Sequence, residues 1–269
     1  MTSGPSAPAR ASAVVGLRAA GCVFAEDEAA VLAGAAPDDA TLDALVRRRA
    51  TGEPLEQVVG WADFCDVRVR LRPGVFVPRL RSGLLVRTAA AEAVAARSSA
   101  GTTSPGVTVV DLCCGSGALG LAVRRRVPGI ALHAADLDPA AVACARDNLG
   151  PDRVYQGDLF AALPAALRGT VDVLIANVPY VATRHIPFLP AEARDHEPHT
   201  ALDGGEDGLA LFRSVAAGAR DWLGAGGLLL SEITEAQIPL AVAAVDGNGL
   251  TPGVVSDDDL DAYVITARR

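Results

Sequence analysis

The sequence predicts an α/β protein built on a mainly parallel sheet, with a small helical module ahead of it. Three observations carry this. Short apolar runs fall near 107–112, 130–135, 153–156, 171–176, 227–232, 252–256 and 263–267. Helical stretches lie between most of them, at about 80–97, 117–126, 138–148, 207–223 and 235–246. Parallel neighbours need such long crossovers, and strands covered on both faces read as near-continuous apolar runs.

Taken in order, Met1 to Pro8 are small, polar and proline-containing, and read as a frayed tail. From Ala11 to about Arg49 the pattern is helical. Val14, Val15 and Leu17 begin one segment, and Glu26 to Ala35 form a second. Asp38-Asp39-Ala40-Thr41 opens a third, with Leu42, Leu45 and Val46 at helical spacing. Pro54 marks the exit. Val67, Val69 and Leu71 alternate with Arg68, Arg70 and Arg72 as a half-exposed strand. Pro73-Gly74 is a turn signal, and Val75-Phe76-Val77 reads as the return strand. The expected organisation is a tail and helical domain over 1–62, a β-hairpin linker over 63–78 and an α/β domain over 79–269. Ser98 to Gly106 reads as an exposed loop. The last two strands are close enough to pair as a hairpin. Val181 to Glu206 shows little periodicity, and so long a connection in a compact domain is usually functional.

A chain of 269 residues, half of them hydrophobic, has core enough for one large domain and a small one. All 24 basic residues are Arg, and the net charge is −8. That balance is poorly suited to gripping a phosphate backbone, although Arg68, Arg70, Arg72, Arg79 and Arg81 lie close together. Five cysteines form no CxxC pair and no zinc spacing with histidine, so no metal is expected and the thiols read as reduced. His133, His185, His196 and His199 form no catalytic pattern. There is no signal-like N-terminus and no run of about 18 apolar residues, so a cytoplasmic protein without a membrane segment is expected.

Two turns carry chemistry. The first follows the apolar run ending in Val109-Val110-Asp111-Leu112. Gly115-x-Gly117-x-x-Gly120 matches a dinucleotide fingerprint, whose glycines let the backbone turn tightly and approach a ligand at a helix N-terminus. The candidate cofactor residues are Asp111, placed to face a cationic amino group, and loop residues Cys113, Cys114, Gly115, Ser116 and Gly117. Asp136, with Leu137 beside it, ends the next run and suits ribose hydroxyls of either NAD or S-adenosylmethionine. Asp158 follows the third run and could accept from an adenine amino group, with Leu159 or Phe160 against the ring. Each feature also has a plain structural explanation. The glycines could form an empty strand–helix turn, and the carboxylates could cap helices, as Asp138 before Pro139 is expected to do.

The second turn is Asn177-Val178-Pro179-Tyr180, at the end of Val171 to Ala176. An amide nitrogen is a poor nucleophile because its lone pair is delocalised. The Asn177 side-chain oxygen and the Val178 carbonyl can hold both N–H bonds of a planar acceptor and aim its nitrogen at a methyl group. Their pull grows as positive charge develops on nitrogen, and alignment supplies the remainder. Tyr180 offers a flat wall. No strong base is needed, because the proton becomes acidic after transfer. Asn-x-Pro is also ordinary turn chemistry.

With both turns in hand, the chain resembles the protein-(glutamine-N5) methyltransferases that modify peptide-chain release factors, from about Glu53 to the C-terminus. The similar segments are Gly52-Glu53-Pro54, Gly60 through Phe64, Val77-Pro78-Arg79, Asp111 to Gly117, Asp136, Asp158, Asn177 to Tyr180, His196 through Gly205 and Leu229-Leu230-Ser231-Glu232. The run His196-Glu197-Pro198-His199-Thr200-Ala201-Leu202-Asp203-Gly204-Gly205 is the most family-specific. The resemblance implies a class I S-adenosylmethionine-dependent methyltransferase fold, Rossmann-like with a seven-stranded mainly parallel sheet. It implies S-adenosyl-L-methionine as donor and a protein glutamine as acceptor, in the Gly-Gly-Gln loop of a release factor. Asn177, Val178, Pro179 and Tyr180 are then the catalytic candidates, with Asn177 also counted among the cofactor-binding residues. Phe76, Arg79, Glu197 and Pro198 are the substrate-binding candidates, although Arg79 and Glu197 also suit a structural ion pair. The helical module then corresponds to a substrate-docking domain.

Three departures mark the chain as a divergent relative. Val178 replaces the first proline of Asn-Pro-Pro-Tyr, while Pro179 still pushes it toward extended conformations. Pro78-Arg79-Leu80-Arg81-Ser82-Gly83 stands for Pro-Arg-Pro-x-Thr-Glu and loses the glutamate. Cys113 occupies the first loop-glycine position. Alternatives are a nucleic-acid adenine-N6 methyltransferase, which would need base extrusion and a cationic groove, a catalytically degenerate binding relative, and a dehydrogenase resting on the glycine fingerprint alone.

Overall fold

The computed structural model describes residues 4–99 and 106–269. The expectations that fall on residues 1–3 of the tail and 100–105 of the loop lie outside those residues.

Four helices open the chain: α1 (Ala7–Ala19), α2 (Ala25–Ala35), α3 (Asp39–Ala50) and α4 (Leu55–Val59). They close on Leu17, Leu32 and Leu42. Helix α1 begins inside the segment expected to fray. Ser6 caps it by accepting from the Ala9 amide, Pro8 fits the first turn, and the Asp39 carboxylate accepts from the Ser6 amide and hydroxyl at 2.6 and 2.8 Å.

The hairpin differs from the expectation. Strands β1 (Trp61–Phe64) and β2 (Val67–Arg70) pair antiparallel, with Phe64 opposite Val67. The connecting Cys65 and Asp66 both have positive φ, 47° and 67°, the twist that a two-residue hairpin requires. The partner of β2 therefore precedes it, and the hairpin spans 61–70, not 63–78. Val75–Val77 is no strand. Its alternation reflects packing, with Val77 buried beside Ala62 and Leu71.

The expected mainly parallel seven-stranded sheet is present. Its strands are β3 (Thr108–Leu112), β4 (Ala131–Asp136), β5 (Val154–Gln156), β6 (Val171–Ala176), β7 (Leu223–Ile233), β8 (Thr251–Asp257) and β9 (Ala262–Arg268). The order is β5-β4-β3-β6-β7-β9-β8, parallel through β7, with β9 antiparallel to both neighbours. Helices α5 (Gly83–Ser99), α6 (Ala118–Arg126) and α7 (Pro139–Leu149) precede or connect the first strands. Successive strand residues serve opposite faces. Val109, Ile175 and Leu230 join α5 and α6, whereas Val110, Leu174 and Leu229 join the later helices.

The aperiodic stretch after β6 is a string of single turns: a 3₁₀ turn at Thr183–Phe188, α8 (Ala191–His196) and α9 (His199–Leu202). Each is too short to leave a periodic pattern. Helices α10 (Ala210–Trp222) and α11 (Ile238–Asp246) complete the second face. Among the described residues no helix is long and apolar enough to cross a membrane. The order of strands switches at β3: the chain steps to β4 and β5 on one side and then crosses to β6 on the other. The carboxyl ends of these strands open the crevice in which ligands of such folds bind.

Candidate active site

A cleft of about 870 Å³ opens at that point, a size typical of small-molecule sites. Its walls include Phe76, Arg79, Cys113 to Ser116, Asp136, Leu137, Asn177 to Tyr180 and Pro198. The two turns singled out in the sequence, more than 60 positions apart, thus share one cavity.

The glycine loop is built residue by residue. Cys113 adopts φ +57°, the left-handed region that favours glycine, so the cysteine carries local backbone strain. Burial pushes its thiol up to about 12, leaving it a neutral group. Gly115 gives its N–H to the Asp136 carboxylate at 2.8 Å. Gly117 does not line the cleft. Its φ is +76°, and a Cβ there would meet the Leu149 side chain of α7 at 2.9 Å. Gly120 lets α6 close on β3: its N–H reaches Asp111 Oδ2 at 2.8 Å, and a Cβ would press on that oxygen and on Leu132.

Both oxygens of Asp136 are engaged by backbone amides, of Gly115 at 2.8 Å and Asp138 at 2.9 Å. Burial raises its pKa, and those hydrogen bonds oppose the shift. Asp111 is fully buried, which pushes its carboxyl up to about 7. Among the described residues, two buried side-chain polar atoms lack a partner: Asp111 Oδ1 and Asn177 Oδ1. They belong to the two residues that the sequence assigned to a donor's amino group and to an acceptor's nitrogen. Unpaired buried polar atoms are costly and call for an explanation. Asp111 does not line the cleft, so a ligand there leaves its open oxygen unexplained, whereas Asn177 does line it and an acceptor N–H bond would satisfy its Oδ1. With Asp136 and the Cys113–Ser116 bed on the same cleft, the residues fit S-adenosylmethionine beside an amide.

Asp158 and Leu159 do not line the cleft. They sit beyond β5 at the sheet edge, with Asp158 exposed and Leu159 at φ +43°. Phe160 is stacked on Trp222 at 5.6 Å, so that ring is committed to the core. Glu197 is a correction too. Its side chain is fully buried, one oxygen accepting from the Val77 amide at 3.2 Å and the other paired with Arg79. The ion pair ties the segment before α5 to the turn between α8 and α9. Arg79 and Pro198 face the cleft, and the Arg79 guanidinium lies 4.9 Å from the Phe76 ring centre.

Val178 points its side chain into the core, 2% exposed, where valine replaces proline without a polar cost. The glycines downstream explain the family-specific run. A Cβ at Gly204 would come within 2.6 Å of the Pro179 carbonyl, and one at Gly208 within 2.2 Å of the Tyr180 carbonyl. Only bare backbone lets this strap close over the Asn177 turn. Gln237 seals it by donating to the carbonyls of Tyr180 and Asp207 at 2.9 and 3.0 Å.

A family model described as the methyltransferase small domain matches residues 97–192. A release factor glutamine methyltransferase of Streptomyces coelicolor is 38% identical over 205 residues, 74% of this chain and 70% of that protein. That of Mycolicibacterium smegmatis is 33% identical over 235 residues, 86% of this chain and 80% of that protein. The chain belongs to the release factor glutamine methyltransferase family. Another relative, a 4-amino-L-phenylalanine/4-methylamino-L-phenylalanine methyltransferase of Streptomyces pristinaespiralis, is 41% identical over 70% of this chain and 63% of that protein. A ribosomal protein L11 methylase from Lactobacillus delbrueckii shares the fold, with a TM-score of 0.50 at 16% identity over 75% of this chain and 84% of that one. Membership of this methyltransferase family brings S-adenosylmethionine with it as the methyl donor.

Sequence reasoning gave no role to four polar residues around the family's Asn-x-Pro-Tyr turn. They are Arg81, Ser82, Glu232 and Gln237. A signal existed: Ser231-Glu232 interrupts the apolar core of β7, and both are buried. Ser231 donates to the Ala176 carbonyl at 2.6 Å and so braces the residue before Asn177.

Proposed function

We propose that the protein transfers a methyl group from S-adenosylmethionine to the side-chain amide nitrogen of a glutamine in a peptide-chain release factor. The observation that carries this is the buried, unpartnered Asn177 Oδ1 on a cleft that also holds the glycine loop. When bound, the donor supplies a methyl carbon on a positively charged sulfur, and transfer leaves a neutral thioether and a proton. Asp136 holds ribose hydroxyls, and Cys113 to Ser116 line the bed beside it. Asn177 Oδ1 and the Val178 carbonyl accept from the acceptor N–H bonds, most strongly as charge builds on nitrogen. The Tyr180 ring flanks the amide plane. Helices α1 to α4 form the domain that docks the protein substrate. The test is transfer of labelled methyl to purified release factor, with peptide mass mapping to the glutamine of its Gly-Gly-Gln loop. Label on nucleic acid alone, or on no acceptor, overturns the assignment.

A second reading has its own support. The relative acting on 4-amino-L-phenylalanine is 41% identical to this chain, and an arylamine is also a planar N–H acceptor. The same assay with 4-amino-L-phenylalanine separates a free amino acid from a protein glutamine.

A further inference from the structure

We propose that Glu232 is a positioning residue that decides which way round the Asn177 amide sits, with Arg81 setting the direction of the hydrogen-bond chain between them. This rests on the reading of Asn177 Oδ1 as the atom that accepts from the acceptor nitrogen.

The partners leave one consistent arrangement of protons. Arg81 has only donors. Its Nε gives to Glu232 Oε1 at 2.8 Å, and its terminal nitrogen gives to the Tyr180 hydroxyl. Tyr180 must then pass its own proton on, and it gives it to the same Glu232 oxygen. The second oxygen, Oε2, takes the Ser82 hydroxyl proton at 2.6 Å. A hydroxyl has one proton to donate. With that proton committed to Glu232, Ser82 Oγ can only accept from Asn177, and it does so from Nδ2 at 3.3 Å. The amide is thereby held with Nδ2 toward Ser82 and Oδ1 left open. Glu232 is 2% exposed and lies on β7, 55 residues beyond Asn177, so no local rule of the turn supplies this control.

Remove the carboxylate and the chain can reverse. A glutamine at 232 can place its NH₂ against Ser82 Oγ. The serine proton then turns to Asn177, whose amide flips to accept it, consuming the oxygen the acceptor needs. Ser82→Ala leaves Asn177 without a partner and free to adopt either orientation, a smaller loss. The order of effects is therefore unusual: taking away Ser82 repairs part of the damage done at Glu232.

The experiment compares wild type, Glu232→Gln, Ser82→Ala, Ser82→Thr and the double variant Glu232→Gln/Ser82→Ala. It measures kcat and KM for methyl transfer to release factor, Kd for S-adenosylmethionine and the side-chain amide ¹⁵N–¹H resonance of Asn177 in the free protein. Glu232→Gln is expected to lower kcat about 10²-fold, the usual effect of losing one preorganised contact, with donor Kd within about twofold. Ser82→Thr keeps the hydroxyl and wild-type kcat. The double variant is expected to be about tenfold more active than Glu232→Gln. The Asn177 amide proton bonded to Ser82 should shift upfield in Glu232→Gln and in Ser82→Ala, and stay in place in Ser82→Thr. A double variant no better than Glu232→Gln overturns the proposal, because a merely structural role would make the losses add. So does an Asn177 resonance unmoved by Glu232→Gln or, if that variant does not fold, by Ser82→Ala. If wild type methylates no glutamine yet the resonance moves as expected, the substrate assignment falls and the orientation by Glu232 stands.

Discussion

Replacing Asp136 tests the donor site most sharply, because the structure predicts different reasons for failure in two variants. Each carboxylate oxygen already accepts one backbone N–H, of Gly115 at 2.8 Å and Asp138 at 2.9 Å. The remaining lone pairs are those offered to ribose hydroxyls. Asp136→Ala removes charge-assisted bonds worth about 1.5–3 kcal/mol each, so loss of one weakens donor binding about tenfold to 150-fold. Two backbone donors also lose their acceptor, which loosens the glycine loop. Asp136→Asn is nearly isosteric and would be mild if the carboxylate mattered only for its shape. The geometry says otherwise. Whichever way the amide is turned, its NH₂ meets a backbone N–H at hydrogen-bond distance, so one donor pair faces head-on. Asparagine should therefore bind the donor at least tenfold more weakly than wild type, close to the alanine variant. Calorimetry with S-adenosylmethionine reads the Kd, and a thermal melt checks that each variant is folded. A folded Asp136→Asn protein with wild-type affinity would refute the assignment of both oxygens.

Three more outcomes are expected. Asn177→Ala lowers kcat about 10²–10³-fold with donor Kd unchanged, whereas Val178→Pro keeps or raises activity because the site needs only that residue's carbonyl, as steady-state kinetics on the two variants will read. Asp111 ionises near 3.8 when unfolded and near 7 when buried, so only the unfolded chain sheds the proton between these values. Asp111 should therefore lower the stability of the ligand-free protein as pH rises from about 4 to about 7, and denaturant melts of Asp111→Asn should show a shallower fall than wild type over that range. Gly208→Ala would push a Cβ to 2.2 Å from the Tyr180 carbonyl at φ +79°, so it should destabilise by at least the roughly 1–2 kcal/mol of a left-handed alanine and cost activity, measured by urea melts and turnover.

Much of the site was legible in the sequence because it is local. A strand, a glycine turn and a helix are consecutive, so the apolar run into Asp111, the spacing from Gly115 to Gly120 and the placement of Asp136 one strand later all leave marks in the order of residues. The same holds for Asn177 to Tyr180 at the end of β6, and for the central strands β3, β6 and β7, whose apolar runs report burial on both faces. Resemblance added the acceptor, which no spacing could name.

Tertiary structure decided everything that depends on partners far apart in the chain. Alternation around Val67 showed a half-buried strand but not its partner, since Val75 and Val77 are buried by packing and not by pairing. Glu197 read as a cleft residue or an ion-pair member, and only the fold showed both its oxygens already taken. The control of Asn177 by Glu232 was invisible, because hydrogen-bond direction depends on which protons Arg81, Tyr180 and Ser82 bring to one buried carboxylate. Sequence order records short-range geometry and burial. It does not record which donors meet which acceptors when strands 55 residues apart are laid side by side.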